Sequence, residues 1–277
     1  MRDSLRGKTV VITGASSGIG AEAARQFAGL GATVAVVGRS KEKTEAVAQS
    51  AGGQAYLADF TQLDDVRRLA ADLLADYEQI DILANNAGAI FMTRTISTDG
   101  YELTFQVNYL APYLLTTLLL PRLGANPAGA RVINTGSNAY KNASVDLADL
   151  DGTRRERKQR RAYGESKLAT ILFTSELARR TEGTGVTAMA FHPGLVVTDV
   201  GRDSPFFHNL MNSWLGRMAI AGPSRGAEPM IHLATAADPA DLNGRYFNRL
   251  KPETPGNAQA RDPEVARQLW DRTAKLI

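Results

Sequence analysis

The stretch Thr9–Gly20 reads TVVITGASSGIG, a β-branched apolar run that passes through a glycine-rich turn directly into a helical segment, Ala21–Leu30. The run predicts a strand over Thr9–Thr13, and Gly31 terminates the helix behind it. Between strand and helix, Gly14, Gly18 and Gly20 let the backbone come close to a ligand. The helix N-terminus then supplies free N–H groups and partial positive charge. A turn of this kind, with Ser16, Ser17 and Ile19 inside it, suits a pyrophosphate.

The same rhythm continues down the chain. Thr33–Val37 is apolar throughout, which fits a parallel strand covered on both faces. Further strands are predicted near Gln54–Leu57, Ile80–Ala84, Arg131–Thr135, Val186–Phe191 and Gly244–Phe247. Helical stretches fill the gaps at Thr61–Tyr77, Thr98–Leu120, Tyr163–Arg180 and Ser224–Ala236. Asp262-Pro263-Glu264 opens a last helix, with Asp262 as its cap. Strand–helix alternation implies right-handed βαβ units. The expected fold is a single-domain α/β Rossmann fold, a doubly wound sheet of about seven parallel strands with helices on both faces. The cofactor half spans about 1–135 and the catalytic half about 136–277, with a lid near 199–221.

A hydrophobic fraction of 44% in 277 residues is enough for a sizeable core. The net charge of +3 gives no reason to expect nucleic acid as a partner. Without cysteine there is neither a disulfide scaffold nor a thiolate metal site, and His192, His208 and His232 are too scattered for a metal cluster. No metal is expected. The apolar run from Val10 breaks at Gly14, too short for a signal peptide. The longest apolar stretch, Tyr109–Leu120, ends at Pro121, short of the roughly 20 residues of a spanning helix. It reads as a buried helix, and a soluble, cytoplasmic protein with no membrane partner is expected.

The spacing TGxxxGxG of Thr13–Gly20 resembles that of the short-chain dehydrogenase/reductase family, and further motifs match in order. NNAG appears as Asn85-Asn86-Ala87-Gly88, a helix asparagine as Asn108, a post-strand serine as Ser137, YxxxK as Tyr163 and Lys167, and PGxVxT as Pro193-Gly194 through Val196 to Thr198. The resemblance implies an oxidoreductase that uses a nicotinamide dinucleotide. It places Asp59, beside Phe60, at the adenine, Asn85 at the ribose with Ala87 and Gly88 alongside, and Thr198 at the nicotinamide amide. Residues read independently give the choice of dinucleotide. An NAD enzyme carries an acidic residue at the end of the second strand, whereas this chain has Gly38 and Arg39. Arg39 can pair with a 2′-phosphate, so NADP(H) is the expected cofactor.

Tyr163 and Lys167, four residues apart on one helix face, form an acid/base pair. A nearby ammonium favours a phenolate, so the expectation is a Tyr163 pKa drawn down toward neutrality. Ser137 would stabilise negative charge developing on the substrate oxygen. By the resemblance, Lys167 also holds ribose hydroxyls, and Asn108 helps keep a water beside it. A buried amide serving backbone groups is an equally good reading of Asn108. His192 is assigned to structure.

Pro205, Phe206, Phe207, Met211, Trp214, Leu215 and Met218 fall in the expected lid, and Ile90, Phe91 and Met92 follow NNAG. These side chains suit a hydrophobic carbonyl or alcohol substrate or, in the lid, packing against the sheet. The long Ser137–Tyr163 spacing, with FQVNYLAPYLLT and AYGESKLATILFT, resembles the retinol-dehydrogenase-like branch. Members of that branch often carry a membrane anchor, and none is read here, so a soluble reductase of other substrates is expected. A homodimer or homotetramer is the family habit. The main alternative is a catalytically silent dinucleotide-binding regulator of the same fold, which usually lacks one of Ser, Tyr or Lys. A nucleotide-sugar epimerase would carry a different glycine spacing. The run Arg154–Arg161, RRERKQRR, reads first as a solvated surface segment, second as a positive rim that draws in an anionic cofactor or substrate, and third as a contact for acidic lipids or nucleic acid.

Overall fold

The structure is a computed structural model that describes residues 4–153, 159–194 and 222–277. Val196, Thr198, the lid segment and Arg154–Lys158 of the basic run lie outside the described residues.

Seven strands run parallel: β1 (Thr9–Ile12), β2 (Thr33–Gly38), β3 (Gln54–Leu57), β4 (Ile82–Asn85), β5 (Ala130–Thr135), β6 (Val186–His192) and β7 (Tyr246–Asn248). Their order, β3-β2-β1-β4-β5-β6-β7, reverses direction at β1, as a doubly wound sheet requires. The sheet is not wholly parallel. An eighth strand, β8 (Lys251–Pro252), folds back antiparallel on β7. Two residues carry too little pattern for such a strand to be read from sequence.

Apolar side chains alternate between two layers, as strand geometry dictates. Val11 faces a core shared with α3 (Leu63–Asp76), α4 (Leu103–Gly124), α5 (Gln159–Arg180) and α7 (Pro263–Leu276). Val10 and Ile12 face the other core, shared with α1 (Gly18–Gly29), α2 (Lys41–Ser50) and α6 (Pro223–Thr235). α7 starts as expected: Asp262 accepts from the N–H groups of Glu264 and Val265, with Pro263 in the first turn. The C-terminus of α6 is closed by Arg131, whose guanidinium donates to the carbonyls of Leu233, Ala234 and Ala236.

The apolar helix does not end at Pro121. It runs from Leu103 to Gly124, with Pro121 inside it. Proline forfeits one N–H donor, but its fixed φ is helical, so a last turn can continue past it. By length and apolarity this helix could cross a membrane, yet 78% of its most apolar window is buried inside the protein. It also contains a π-turn at Gln106–Leu110.

The N-terminal edge of the sheet is fastened at Asp81, a 4% exposed carboxylate. It accepts from Lys8 Nζ at 2.9 Å, the Thr9 N–H at 2.9 Å, Gln79 Nε2 at 2.8 Å and Asn126 Nδ2 at 3.0 Å. Burial by itself would raise its pKa, but these donors outweigh burial and hold it below the ordinary value. A depressed carboxylate contributes stability above its unfolded pKa and loses it as pH falls through the folded one. We expect Asp81→Ala to cost about 3 kcal/mol or more in denaturant unfolding. We expect Asp81→Asn to flatten the loss of stability below about pH 4.

Candidate active site

At the C-terminal end of the parallel strands lies a cleft of about 570 Å³. The glycines set its floor. Gly14 has φ 63°, and a Cβ there would fall 2.6 Å from Ala87 Cα. A Cβ on Gly20 would fall 2.4 Å from the Gly14 carbonyl oxygen. Only glycine allows the turn after β1 and the loop after β4 to press together this closely. Thr13 Oγ1 accepts from the N–H groups of Asn86 and Ala87, each at 3.0 Å. Asn86 Nδ2 returns a bond to the Thr13 carbonyl at 3.0 Å.

Gly14, Ser16, Ser17, Gly18, Ile19 and Gly20 line the cleft, as do Asp59, Phe60, Ala87, Gly88, Pro193 and Gly194. Arg39 also lines it, together with Ser40 and Lys43, one turn further on in α2. Neither Arg39 nor Lys43 has a carboxylate partner among the described residues. Asp59 is partly spent locally, accepting from the Thr61 N–H at 3.0 Å. Asn85 does not line this cleft. Its buried Nδ2 donates to Thr116 Oγ1 and Asn134 Oδ1, both at 2.9 Å, and Asn86 takes the cleft-facing place. The exposed helix N-terminus, the close-approach glycines and the unpaired cations together fit a phosphorylated dinucleotide. Among the described residues no group of three or more His, Asp or Glu is placed to hold a metal ion.

Ser137, Tyr163 and Lys167 converge on the same cleft. Ser137 follows β5, and its hydroxyl accepts from the Ala139 N–H at 3.3 Å. Lys167 Nζ lies 5.7 Å from the centre of the Tyr163 ring and donates to the Thr135 carbonyl at 2.9 Å. The Tyr163 phenol is not drawn below its ordinary pKa in this structure. Burial raises it, and Ser137 offsets only part of that. Lys167 is itself 4% exposed and held by burial to a pKa of about 8. Its ammonium sits over the ring and bonds a carbonyl.

Asn108 stands in the π-turn of α4, a feature often found at functional sites. Its amide is fully engaged: Oδ1 accepts from the Ala89 N–H at 2.8 Å, and Nδ2 donates to the Ala89 carbonyl at 2.9 Å and Ser166 Oγ at 3.1 Å. Asn108 therefore pins the loop after NNAG to α5.

The profile of the short chain dehydrogenase family matches residues 8–205. The chain belongs to that family. Human retinol dehydrogenase 13 is 38% identical to this short-chain dehydrogenase over 99% of the chain and 86% of its own length. A Streptomyces protein provisionally named daunorubicin C-13 ketoreductase is 40% identical over 99% of the chain and 93% of its own. These relatives place the chain in the retinol-dehydrogenase-like branch. Among solved structures, an uncharacterized protein of Mycobacterium paratuberculosis aligns with a TM-score of 0.80 and 32% identity over 99% of this chain and 95% of that one. A Burkholderia cenocepacia short chain dehydrogenase solved in complex with NADP aligns with a TM-score of 0.70 and 26% identity, over 92% and 99% of the two chains.

Sequence reasoning missed several residues of the cleft. Lys43 could have been found as the i+4 neighbour of Arg39. Asn86 could have been found from strand alternation, because β4 directs neighbouring side chains to opposite faces. His192, assigned to structure, also lines the cleft. Burial, with help from Lys141, drives its pKa down to about 4, so it is neutral near pH 7. Of the basic run, Arg161 is tied to Glu165 at 3.0 Å.

The depressed Lys167 has a consequence for stability. Between about pH 8 and its ordinary 10.5 the unfolded chain binds a proton that the folded one lacks, so stability rises with pH across that window. We expect Lys167→Met to remove this rise. Denaturant unfolding of both proteins at intervals from pH 7 to pH 10 checks it.

Proposed function

We propose that this short-chain dehydrogenase interconverts a carbonyl and an alcohol on an apolar small molecule, with NADP(H) as cofactor and Tyr163 as acid/base. The observation that carries the reading is the convergence of Ser137, Tyr163 and Lys167 on one cleft with the glycine turn. The cofactor would supply or accept the hydride. The alkoxide that forms on reduction needs a proton, and the Tyr163 O–H, kept protonated by burial, can donate it. Ser137 can hold the same oxygen and stabilise its charge. Lys167 carries a positive charge 5.7 Å from the centre of the Tyr163 ring, where it would face the cofactor and the reacting oxygen.

Arg39 and Lys43 support NADP(H) over NAD(H). Each can form a charge-assisted bond to a 2′-phosphate, worth about 1.5–3 kcal/mol, or roughly tenfold to a hundredfold in affinity. Ile90, Phe91 and Met92 give the cleft an apolar wall near Tyr163, which supports an apolar substrate. We place the protein in the cytoplasm as a homodimer or homotetramer. The regulator alternative is disfavoured by the intact Ser137, Tyr163 and Lys167.

Two measurements test the reading. A panel of aldehydes and ketones is screened for NADPH oxidation by absorbance. We expect Tyr163→Phe to lower turnover by about 10²–10⁴-fold while leaving the NADPH dissociation constant unchanged, since only the phenolic O–H is removed. Activity near the wild-type level in that variant would refute the acid/base role. For the cofactor, we expect Arg39→Leu and Lys43→Leu each to weaken NADPH about tenfold or more and leave NADH unaffected, measured by fluorescence titration. Equal wild-type affinity for the two dinucleotides would refute the NADP(H) preference.

A further inference from the structure

One side chain outside every motif touches the chain on both sides of Ser137. The ring of Tyr246, on β7, packs against the strand end at Gly136. A Cβ added to Gly136 would lie 3.3 Å from that ring. The Tyr246 hydroxyl donates to Asn138 Oδ1 at 3.2 Å. Gly136 and Asn138 are the immediate neighbours of Ser137.

Tyr246 is itself well anchored. It is 3% exposed, and its ring meets the fully buried Tyr140 edge-on with centroids 5.1 Å apart. The Tyr140 hydroxyl accepts from the Gly256 N–H at 3.2 Å. Asn257 Nδ2 donates to the carbonyls of Tyr140 at 3.0 Å and Ala143 at 2.8 Å. Gln259 exchanges two bonds with the Val145 backbone, at 2.8 and 3.0 Å. The 3-10 turn Asn138–Asn142, which follows Ser137, is thus fastened along its length to residues beyond β7.

The geometry points to Tyr246 as a positioning residue of this active site: by holding Gly136 and Asn138 it fixes the Ser137 hydroxyl in the cleft that it shares with Tyr163. The inference rests on the reading in which Tyr163 is the acid/base. Within its own loop the Ser137 hydroxyl has only the long bond from the Ala139 N–H. A serine side chain has three staggered rotamers, so its aim depends on the placement of the backbone that carries it. That backbone is extended at Ser137 (φ −159°, ψ 147°) and has no regular secondary structure of its own to hold it. Burial, reinforced by Tyr140, Glu253 and Tyr163, keeps the proton on the Tyr246 hydroxyl, so it stays a donor across the working pH range. Among the described residues, Ser137, Lys167 and Tyr246 act on Tyr163.

Tyr246→Phe keeps the ring and deletes only the bond to Asn138. The Tyr163 phenol is titrated by near-ultraviolet difference absorbance against the matching protein that also carries Tyr163→Phe, in wild-type and Tyr246→Phe backgrounds. Because Ser137 lowers the phenol's pKa, we expect its titration to move upward in Tyr246→Phe. Turnover of 4-nitrobenzaldehyde with NADPH should fall about tenfold, less than for outright loss of an oxyanion donor, with the NADPH dissociation constant unchanged. Asn138→Ala should reproduce both changes, and the double variant should go no further than either single one, the mark of a shared interaction. Asn138→Ala alone decides the question should Tyr246→Phe fail to fold. An unmoved phenol titration in the folded variants overturns the proposal. If the wild type reduces no carbonyl, the proposed function fails, and the titration still decides the positioning role.

Discussion

The cleft exists because β1 and β4 stay joined beyond the end of their ladder. Thr13 and Asn86 make that joint by exchanging hydroxyl, amide and backbone bonds, and Thr135 on β5 adds a longer bond to Asn86 Oδ1 at 3.4 Å. Strands that lose their partners usually splay. Here three strand ends are held abreast, and the polypeptide turns away from each on a glycine or a small residue. The glycine turn after β1, the loop after β4 and the loop bearing Ser137 all inherit their positions from this joint. A ligand bound there meets a surface that is already formed, which lowers the ordering cost of binding.

Tyr163 and Lys167 are placed in an environment that works against charge. Lys167 is buried and would rather be neutral, and the Tyr163 phenol would rather keep its proton. Under the proposed function, such a pair would hand over a proton when negative charge appears nearby. Sequence spacing indicates that the two residues share a helix face. It does not indicate how deeply the phenol is buried, and burial sets the direction of its shift.

Much of the fold was legible because apolar runs and glycine turns follow local rules. β2 and β6 are continuous apolar runs, and the capping of α7 by Asp262 needs only neighbours in sequence. What escaped were features fixed by distant partners. β8 exists only because β7 offers it an edge. Asn85 and Asn86 are chemically identical, and only the pleat decides which one sees the cleft. Tyr246 lies 109 positions beyond Ser137 in the chain, and no periodicity links the two. Most of the proposed site was nonetheless readable, since the glycine turn, Ser137, Tyr163 and Lys167 carry distinctive spacing.

The π-turn of α4 amounts to one extra residue wedged into an otherwise regular helix. Each residue turns a helix by about 100°. Excising one residue to restore a perfect helix would therefore swing Asn108 away from Ala89, or else rotate every later side chain of α4 off its core face. Neither half can be repaired by a single compensating substitution. The irregularity is consequently hard to lose by gradual change, and lineages that share this helix should retain its length to the residue while its surface drifts freely.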